Sequence, residues 1–159
     1  MNHRPSLHSY MLMIARLTAE RSTCSKHFKV GAVATQAGRI VMTGYNGVPS
    51  GMTHCDDDKC VRLADGKHAY LVHAEENVVA QAAKLGISLA GATLYITHCP
   101  CTHCLALLAQ AGVSKVFFEV MPMNHKEDSK FLERICDQTG IVVMWMIPDE
   151  VSIKEIVDD

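Results

Sequence analysis

The sequence predicts an α/β fold in three layers, with helices on both faces of a five-stranded mixed sheet. Two observations support this class. First, two apolar strand-like segments flank a short turn at 36–38, which indicates an antiparallel hairpin. Second, helical and strand-like segments alternate after this hairpin, which indicates right-handed crossovers between parallel strands. The chain has 159 residues, a length typical of one domain, and we treat 1–159 as a single domain.

The individual elements follow from the spacing of apolar residues. Residues 5–21 are predicted to be helical because apolar side chains recur at intervals of three and four. The expected strands are 30–35, 39–45, 92–97, 115–120 and 141–146, and the further expected helices are 74–85, 102–111 and 128–136. Gly86 and Gly112 follow two of these helices, where glycine commonly ends a helix. Residues 46–70 lack a period and are expected to form an ordered, functional loop; a short helix is expected near Ile153.

The composition excludes several classes of protein. With 48% hydrophobic and 20% charged residues, the chain is expected to be globular and not disordered. A net charge of −2 argues against a general nucleic-acid binder, and no apolar run approaches the roughly 18 residues of a membrane helix. No signal peptide or lipidation motif is recognisable. Seven cysteines without a secretory signal fit a reducing compartment, and we expect a cytoplasmic protein.

Two short motifs predict a zinc site. His73 and Glu75 stand at the start of one expected helix, and Cys101 and Cys104 stand at the start of another. The partial positive charge of a helix N-terminus favours a thiolate over a thiol. Residues three apart lie on the same side of a helical turn, so both sulfurs can bind one ion. With His73 as a third ligand, one position stays open for water, as in catalytic zinc sites.

Glu75 is expected to move protons. It lies too close to His73 in sequence for a comfortable fourth ligand, and it can face the bound water instead. His-x-Glu combined with Pro-Cys-x-x-Cys is the known signature of zinc nucleobase deaminases, in which the glutamate is the general acid and base. Alone, Cys-x-x-Cys also fits a redox pair or half of a structural zinc site. A closed structural site would need a fourth ligand such as His98, Cys99 or His103.

Four segments resemble the cytidine/deoxycytidylate deaminase superfamily, and within it the deoxycytidylate (dCMP) deaminases. They are residues 24–33, 44–51, 73–77 and 91–104, and the likeness extends from Cys24 to Val120. The second segment separates the dCMP branch from tRNA, guanine and free-nucleoside deaminases. The resemblance implies a five-stranded sheet with helices on both faces. It also implies hydrolysis of dCMP to dUMP and ammonia, which supplies dUMP for thymidylate synthesis.

The resemblance also implies roles for individual residues. His73, Cys101 and Cys104 would bind Zn²⁺, and Glu75 would transfer protons. The residues implied to bind substrate are Ser25, Lys26, His27, Phe28, Asn46 and Ala74. Within this set, the Ala74 backbone would meet the base oxygen, and Asn46 would contact the deoxyribose hydroxyl. Phe28 would stack on the base, with core packing as the alternative, and Lys26 or Lys29 would bind the phosphate.

Many members of this branch are homo-hexamers that dCTP activates and dTTP inhibits, with Mg²⁺ on the triphosphate. The resemblance therefore implies an effector site. Its expected residues are Asn46, Gly47, Pro49, Ser50, Gly51, Glu76 and Asn77. The glycines of this loop allow a close approach of backbone to phosphates. The alternative is a tight loop that only shapes the active site.

A second, structural Zn²⁺ is a further expectation. Cys24, Cys55, Cys60 and His68 lie outside the catalytic set, and some family members hold a structural zinc near these positions. Alternatively, Cys24 is a core thiol and the others are incidental. Two rival functions also stay open: a deaminase of another cytosine nucleoside or nucleotide, and a non-catalytic zinc-stabilised module. Cys99 is expected either to shield the zinc or to compete as a ligand.

Overall fold

A computed structural model describes residues 4–22, 28–54, 61–64, 68–121 and 125–148. In these residues the helices are α1 (Leu7–Ala19), α2 (Ala74–Leu85), α3 (Thr102–Gln110) and α4 (His125–Thr139). The strands are β1 (Gly31–Gln36), β2 (Arg39–Tyr45), β3 (Thr93–His98), β4 (Lys115–Val120) and β5 (Val142–Trp145). They form one sheet in the order β2-β1-β3-β4-β5. The strand β1 runs antiparallel to β2 and β3, whereas β3, β4 and β5 are parallel. The predicted α/β class with a mixed sheet is therefore confirmed.

The element bounds differ from the predictions mainly at the ends of helices. The first helix begins after Ser6, whose hydroxyl accepts a hydrogen bond from the Ser9 backbone at 3.1 Å. The last helix begins at His125 and ends at Thr139, so the predicted range 128–136 was too short at both ends. Its first and last residues are polar, and an apolar period does not reach them. The helix expected near Ile153 lies outside the described residues.

Two apolar cores separate the molecule into three layers. On one face of the sheet, α1 packs its buried side chains against the central strands. The buried residues of this core are Met11, Leu12, Ala15, Val33, Tyr95 and Phe117. On the other face lie α2, α3 and α4, whose core includes Val78, Leu94, Ile96, Leu105, Leu108 and Val116. Successive residues of β3 point to opposite faces, because side chains alternate along a strand.

Close backbone contacts at two glycines bring helices onto the sheet. A Cβ atom at Gly31 would lie 2.1 Å from the carbonyl oxygen of Ala15 in α1. A Cβ atom at Gly44 would lie 2.5 Å from the carbonyl oxygen of Ala74, at the start of α2. Both positions therefore require glycine. The second one fixes the distance between β2 and the helix that begins after His73.

The carboxyl ends of β3 and β4 lie side by side at one edge of the sheet. His98 pairs with Val120 there, one strand end against the other. The chain leaves β3 through Cys99 and Pro100 and enters α3 at this same edge. Ligand sites of open α/β sheets form outside the carboxyl ends of strands. In the part of the chain that the structure describes, no helix has the length and apolar character to span a membrane.

Candidate active site

Three predicted ligands meet where α2 and α3 begin. His73 is the N-cap of α2, Cys101 is the N-cap of α3, and Cys104 lies in the first turn of α3. The Nδ1 atom of His73 is 3.4 Å from the Cys104 Sγ and 3.9 Å from the Cys101 Sγ. Tetrahedral zinc, with bonds of about 2.1 Å to nitrogen and about 2.3 Å to sulfur, places such atoms about 3.6 Å apart. The donor set therefore fits zinc in both chemistry and spacing.

Hydrogen bonds at the helix starts orient these ligands. The backbone N–H of His73 donates to Oε2 of Glu76 at 2.7 Å, which is half of a capping box. The backbone N–H of Cys104 donates to the Cys101 Sγ at 3.5 Å. Each bond uses an N–H group that the first turn of a helix leaves without an intrahelical partner. The same contacts that begin the helices therefore hold the ligand side chains in place.

Hydrogen bonds among the three ligand side chains shift their pKa values when no metal is bound. The pKa of Cys101 is lowered to about 3, mainly by a hydrogen bond with Cys104 and to a smaller extent by one with His73. The hydrogen bond with Cys101 raises the pKa of His73 to about 9. A separate hydrogen bond, between Cys104 and Cys101, raises the pKa of the Cys104 thiol. These shifts favour a thiolate at Cys101, and zinc binding releases the protons that its ligands still carry.

Glu75 lies inside the cleft beside the ligand cluster. Its side chain is buried, with 4% of the residue exposed, and it is not one of the clustered ligands. Burial raises the pKa of this carboxyl group to about 7. A general acid–base group works best when its pKa lies near the working pH. Glu75 can therefore both accept and donate a proton near neutrality.

The cleft has a volume of about 390 Å³, within the range of roughly 300–1,000 Å³ for small-molecule sites. Its walls are mostly apolar, as is usual for such sites. The apolar side chains away from the ligand cluster are Phe28, Val30, Leu71, Val120 and Met121. Polar groups are contributed by Asn46 and His98. Such a cleft can hold a planar ring while a few polar groups fix its orientation.

The residues implied to bind substrate are only partly described. Ala74 is fully buried at the start of α2 and lines the cleft. Asn46 also lines it, and its side chain accepts a bond from the Val30 N–H at 2.8 Å and donates to the Phe28 carbonyl at 2.7 Å. Phe28 is 70% exposed, so the alternative that it is a core residue is wrong. Lys29 pairs with Glu20 at 2.6 Å. The remaining expected residues, Ser25, Lys26 and His27, lie outside the described residues.

Hydrogen bonds connect the loop expected to bind an effector to residues near the start of α2. Gly47 exchanges two backbone hydrogen bonds with Val72, at 3.0 and 2.8 Å. Asn77 donates a side-chain bond to the Tyr45 carbonyl at 2.5 Å, and Glu76 caps His73 as described above. Beyond Gly47 the loop is exposed at Pro49, Ser50 and Gly51. The structure thus links the loop to the helix that carries the site, through Gly47 and Asn77.

None of the three suggested fourth ligands joins the cluster. The Nδ1 atom of His98 lies 2.9 Å from the Thr97 hydroxyl. His103 lies 3.5 Å from Glu76 and is mostly exposed. The Cys99 thiol contacts the Pro100 carbonyl at 3.7 Å, and burial raises the pKa of this thiol to about 11. Within the described ranges the cluster therefore has three ligands, the number typical of catalytic zinc.

The second-zinc residues are mostly outside the described part. Cys24, Cys55 and Cys60 all lie there. His68 is described and buried, and its Nδ1 accepts a hydrogen bond from the Tyr70 N–H at 3.0 Å. His68 also forms an isolated antiparallel β-bridge with Arg62.

Sequence reasoning missed several cleft residues. Leu71, Val120 and Met121 were not singled out, and His98 was considered only as a metal ligand. A signal existed for two of them, since His98 and Val120 end parallel strands at the ligand-binding edge of the sheet. No local pattern marks Leu71, because it enters the cleft from an irregular segment.

Comparison with known proteins decides the family. Residues 5–120 match the sequence model of the cytidine and deoxycytidylate deaminase zinc-binding region. The chain belongs to this deaminase family. The match contains every ligand of the cluster and Glu75, so the geometry described above is that of the zinc-binding region of a cytidine and deoxycytidylate deaminase.

The chain is also similar to individual proteins. The chain is 33% identical over 150 residues to ComE operon protein 2 of Bacillus subtilis, covering 94% of this chain and 76% of that protein. It is 37% identical over 135 residues to the deoxycytidylate deaminase of Saccharomyces cerevisiae, covering 82% of this chain and 43% of the yeast protein. Less than half of the yeast enzyme is therefore spanned. The crystal structure of the dCMP deaminase from cyanophage S-TIM5 in complex with dCMP and dUMP superposes with a TM-score of 0.74 and 33% identity, covering 91% of this chain and 100% of that one.

Proposed function

We propose that this protein is a zinc-dependent deaminase that hydrolyses dCMP to dUMP and ammonia, and that it supplies dUMP for dTMP synthesis. The observation that carries the proposal is a buried carboxylate, Glu75, in the same cleft as a three-ligand zinc set. A structural zinc site does not need such a carboxylate. The similarity to the S-TIM5 enzyme, crystallised with dCMP and dUMP, supports the choice of substrate.

Different side chains of the protein bind the metal and transfer protons. His73, Cys101 and Cys104 hold the metal, which when bound activates a water molecule as the nucleophile. Glu75 takes a proton from the attacking water and delivers it to the ring nitrogen. A second proton then passes through Glu75 to the amino group, which leaves as ammonia. One C–O bond forms at C4 and one C–N bond breaks, so water and dCMP are converted to dUMP and ammonia without an oxidant.

The apolar cleft orients the substrate for this step. The Ala74 backbone contacts the base oxygen, the Phe28 ring stacks on the base, and Asn46 contacts the deoxyribose hydroxyl. Ser25, Lys26 and His27 complete the binding segment. Asn46 has spare capacity for this contact, because its amide retains one hydrogen and one lone pair beyond the bonds to Val30 and Phe28.

The proposal is tested by ammonia release from dCMP, deoxycytidine and dCTP, compared side by side with the zinc-loaded protein. We expect kcat/KM to be highest for dCMP, because only a monophosphate matches the proposed site in both base and charge. Equal efficiency with deoxycytidine would contradict a phosphate-recognising site. A higher efficiency with dCTP would assign the protein to a different deaminase reaction.

Regulation and assembly form a finer proposal. We propose activation by dCTP and inhibition by dTTP, each bound with Mg²⁺ at the loop 46–51 with Glu76 and Asn77, in a homo-hexamer. The bonds from Gly47 to Val72 and from Asn77 to Tyr45 give an effector at this loop a direct route to α2. The dCMP assay repeated with each triphosphate tests this, and insensitivity to both would remove the effector site. Light scattering in the same buffer measures the mass, and a monomer would contradict the hexamer.

A second zinc per chain is also proposed, bound by Cys24, Cys55, Cys60 and His68. Metal analysis should then give two zinc ions per chain in the wild type and one in Cys55→Ser. A count of one in the wild type would contradict the second site. Because thiolate ligands must stay reduced, we place the protein in the cytoplasm.

A further inference from the structure

We propose that His98 recognises the 5′-phosphate of the nucleotide, by donating a hydrogen bond from its Nε2 atom, and that Thr97 fixes the proton on this atom. The inference rests on the proposed deaminase function, since it assigns a part of the same substrate. It makes His98 a residue that distinguishes a nucleotide from a nucleoside.

The location of His98 suits this role. It is the last residue of β3 and pairs with Val120 at the carboxyl edge of the sheet. Its side chain lines the cleft beside Phe28, with the two ring centroids 5.7 Å apart. It is separate from the metal-binding cluster.

Contacts of Thr97 determine which nitrogen of His98 carries the proton. The Thr97 hydroxyl accepts a hydrogen bond from the Gly31 N–H at 3.3 Å, and it lies 2.9 Å from the His98 Nδ1. Thr97 is 4% exposed, so its hydroxyl hydrogen needs a protein acceptor. Among the described residues, that acceptor is the His98 Nδ1. The neutral ring then carries its proton on Nε2.

The Nε2–H group is available to a ligand. No acceptor for it is found in the described ranges of the chain. Burial lowers the pKa of His98, which favours the neutral ring. The negative charge of the nearby Glu119 carboxylate is compensated by Arg16, whose Nε lies 3.0 and 2.9 Å from its two oxygens. An anion can therefore approach His98.

Among the described residues the 5′-phosphate has no assigned partner, since Lys26 lies outside them and Lys29 pairs with Glu20. The base lies at the zinc end of the cleft, where Glu75 and Ala74 meet it. The sugar hydroxyl is assigned to Asn46. The Nε2–H group can only donate, and the charged oxygens of a phosphate are strong acceptors. Hydrogen bonds to charged groups are about twice as strong as neutral ones.

Binding of dUMP and deoxyuridine to the zinc-loaded protein, measured by calorimetry, tests the proposal. These ligands differ only in the phosphate, and neither is deaminated. We expect His98→Leu to weaken dUMP binding about 10- to 100-fold, the range for a hydrogen bond to a charged group, and to leave the Kd of deoxyuridine unchanged. His98→Gln, whose amide nitrogen reaches the position of Nε2, should restore most of the dUMP affinity.

Thr97→Val provides a second variant that leaves the His98 side chain in place. It should weaken dUMP a few-fold and leave deoxyuridine unchanged, since the tautomer of His98 is no longer fixed. Nitrogen-15 spectra of labelled histidine should show the proton on Nε2 in the wild type. A proton on Nδ1 would overturn the Thr97 assignment, and so would a Thr97→Val variant with wild-type dUMP affinity.

Equal losses for dUMP and deoxyuridine in His98→Leu would place His98 against the base or sugar and overturn the proposal. Wild-type dUMP affinity in that variant would overturn it as well. The proposed function is tested separately by the wild-type protein. If the wild type releases ammonia from dCMP but His98→Leu shows no selective loss of dUMP affinity, only this inference is refuted. If His98→Leu shows that selective loss but the wild type releases no ammonia, only the deaminase proposal is refuted.

Discussion

At the scale of single residues, Glu75 and Glu76 have the same side chain but different surroundings. Glu75 is buried in the cleft, where desolvation raises its pKa to about 7. Glu76 instead binds the backbone N–H of His73 at 2.7 Å. One carboxylate is therefore placed for proton transfer, and its neighbour supports the helix start that carries a metal ligand.

Replacing Glu75 by Gln is expected to lower kcat for dCMP by at least about 100-fold, because proton transfer by a positioned group contributes roughly 10²–10⁴-fold. Zinc content should be unchanged, since Glu75 is not a ligand. Glu133→Gln makes the same chemical change at an exposed site of α4 and should retain wild-type activity. Near-normal turnover by Glu75→Gln would contradict the assigned role.

Asn46 is expected to stabilise the fold as well as the site. Asn46→Ala removes bonds to the Val30 N–H and the Phe28 carbonyl at a position that is 3% exposed. Each lost hydrogen bond costs about 0.5–1.5 kcal/mol, and urea unfolding should show a loss of about 1–3 kcal/mol for the two. Gln110→Ala, at an exposed residue at the end of α3, is the control. Equal stability of both variants would show that the Asn46 bonds contribute nothing.

The cluster of metal ligands was predictable because short motifs carry it. His73, Glu75, Cys101 and Cys104 stand at fixed spacings that the chemistry itself requires. The bonds of Asn46 to the 28–30 segment are different, because they join residues 16 and 18 positions apart. Such contacts depend on how β1 and β2 pair, and no local pattern encodes them.

At the scale of elements, the site is built by two helix starts held against one sheet. Gly44 lets α2 approach β2 closely, since a Cβ there would lie 2.5 Å from the Ala74 carbonyl. The contact is made in the first turn of α2, next to His73 and Glu75. A change at Gly44 should therefore alter both stability and metal binding.

Gly44→Ala is expected to destabilise the protein by about 1–3 kcal/mol, the usual cost of overpacking, and to weaken zinc affinity. Gly47→Ala is the matched control, because among the described residues a Cβ there meets only the Tyr45 ring, at 3.8 Å or more. Its effect on stability should stay within about 0.5 kcal/mol. Chemical unfolding and a zinc competition assay measure the two quantities. If Gly44→Ala changed stability and zinc affinity as little as Gly47→Ala, the close approach of α2 to β2 would not determine either quantity.

Element bounds were predictable from apolar periodicity in most of the described chain. The strands at 39–45 and 115–120 have the expected bounds, and α2 has the expected range. The last helix was predicted too short, because its ends are polar and α3 supplies part of its packing. Periodicity detects a buried face, and it does not detect a helical turn that faces solvent.

At the scale of the whole molecule, the order of the strands determines where the site forms. The antiparallel hairpin and the parallel strands were both expected, but no sequence pattern indicated that β1 and β3 lie side by side within the sheet. That arrangement places the ends of β3 and β4 beside the starts of α2 and α3. The alternation of elements predicts a sheet class, whereas strand order depends on long-range packing.

Metal removal is expected to lower the stability of the whole domain. His73, Cys101 and Cys104 join two helices, so zinc binds the folded chain far better than the unfolded one. Free zinc at a thousand times its Kd would add about 4 kcal/mol to the free energy of unfolding. Thermal unfolding with and without a chelator measures this, with Cys136→Ser, outside the ligand cluster, showing the same zinc dependence as wild type. A melting temperature that is insensitive to chelation would contradict a metal shared by both helices.

We propose that the cleft hydrolyses dCMP with zinc held by His73, Cys101 and Cys104. The most direct measurement is the release of ammonia and dUMP from dCMP by the purified protein as isolated, after chelation, and after zinc is restored. We predict equal amounts of the two products, loss of both on chelation, and recovery with zinc. Unchanged turnover by the metal-free protein, or no turnover by the zinc-loaded one, would contradict the claim.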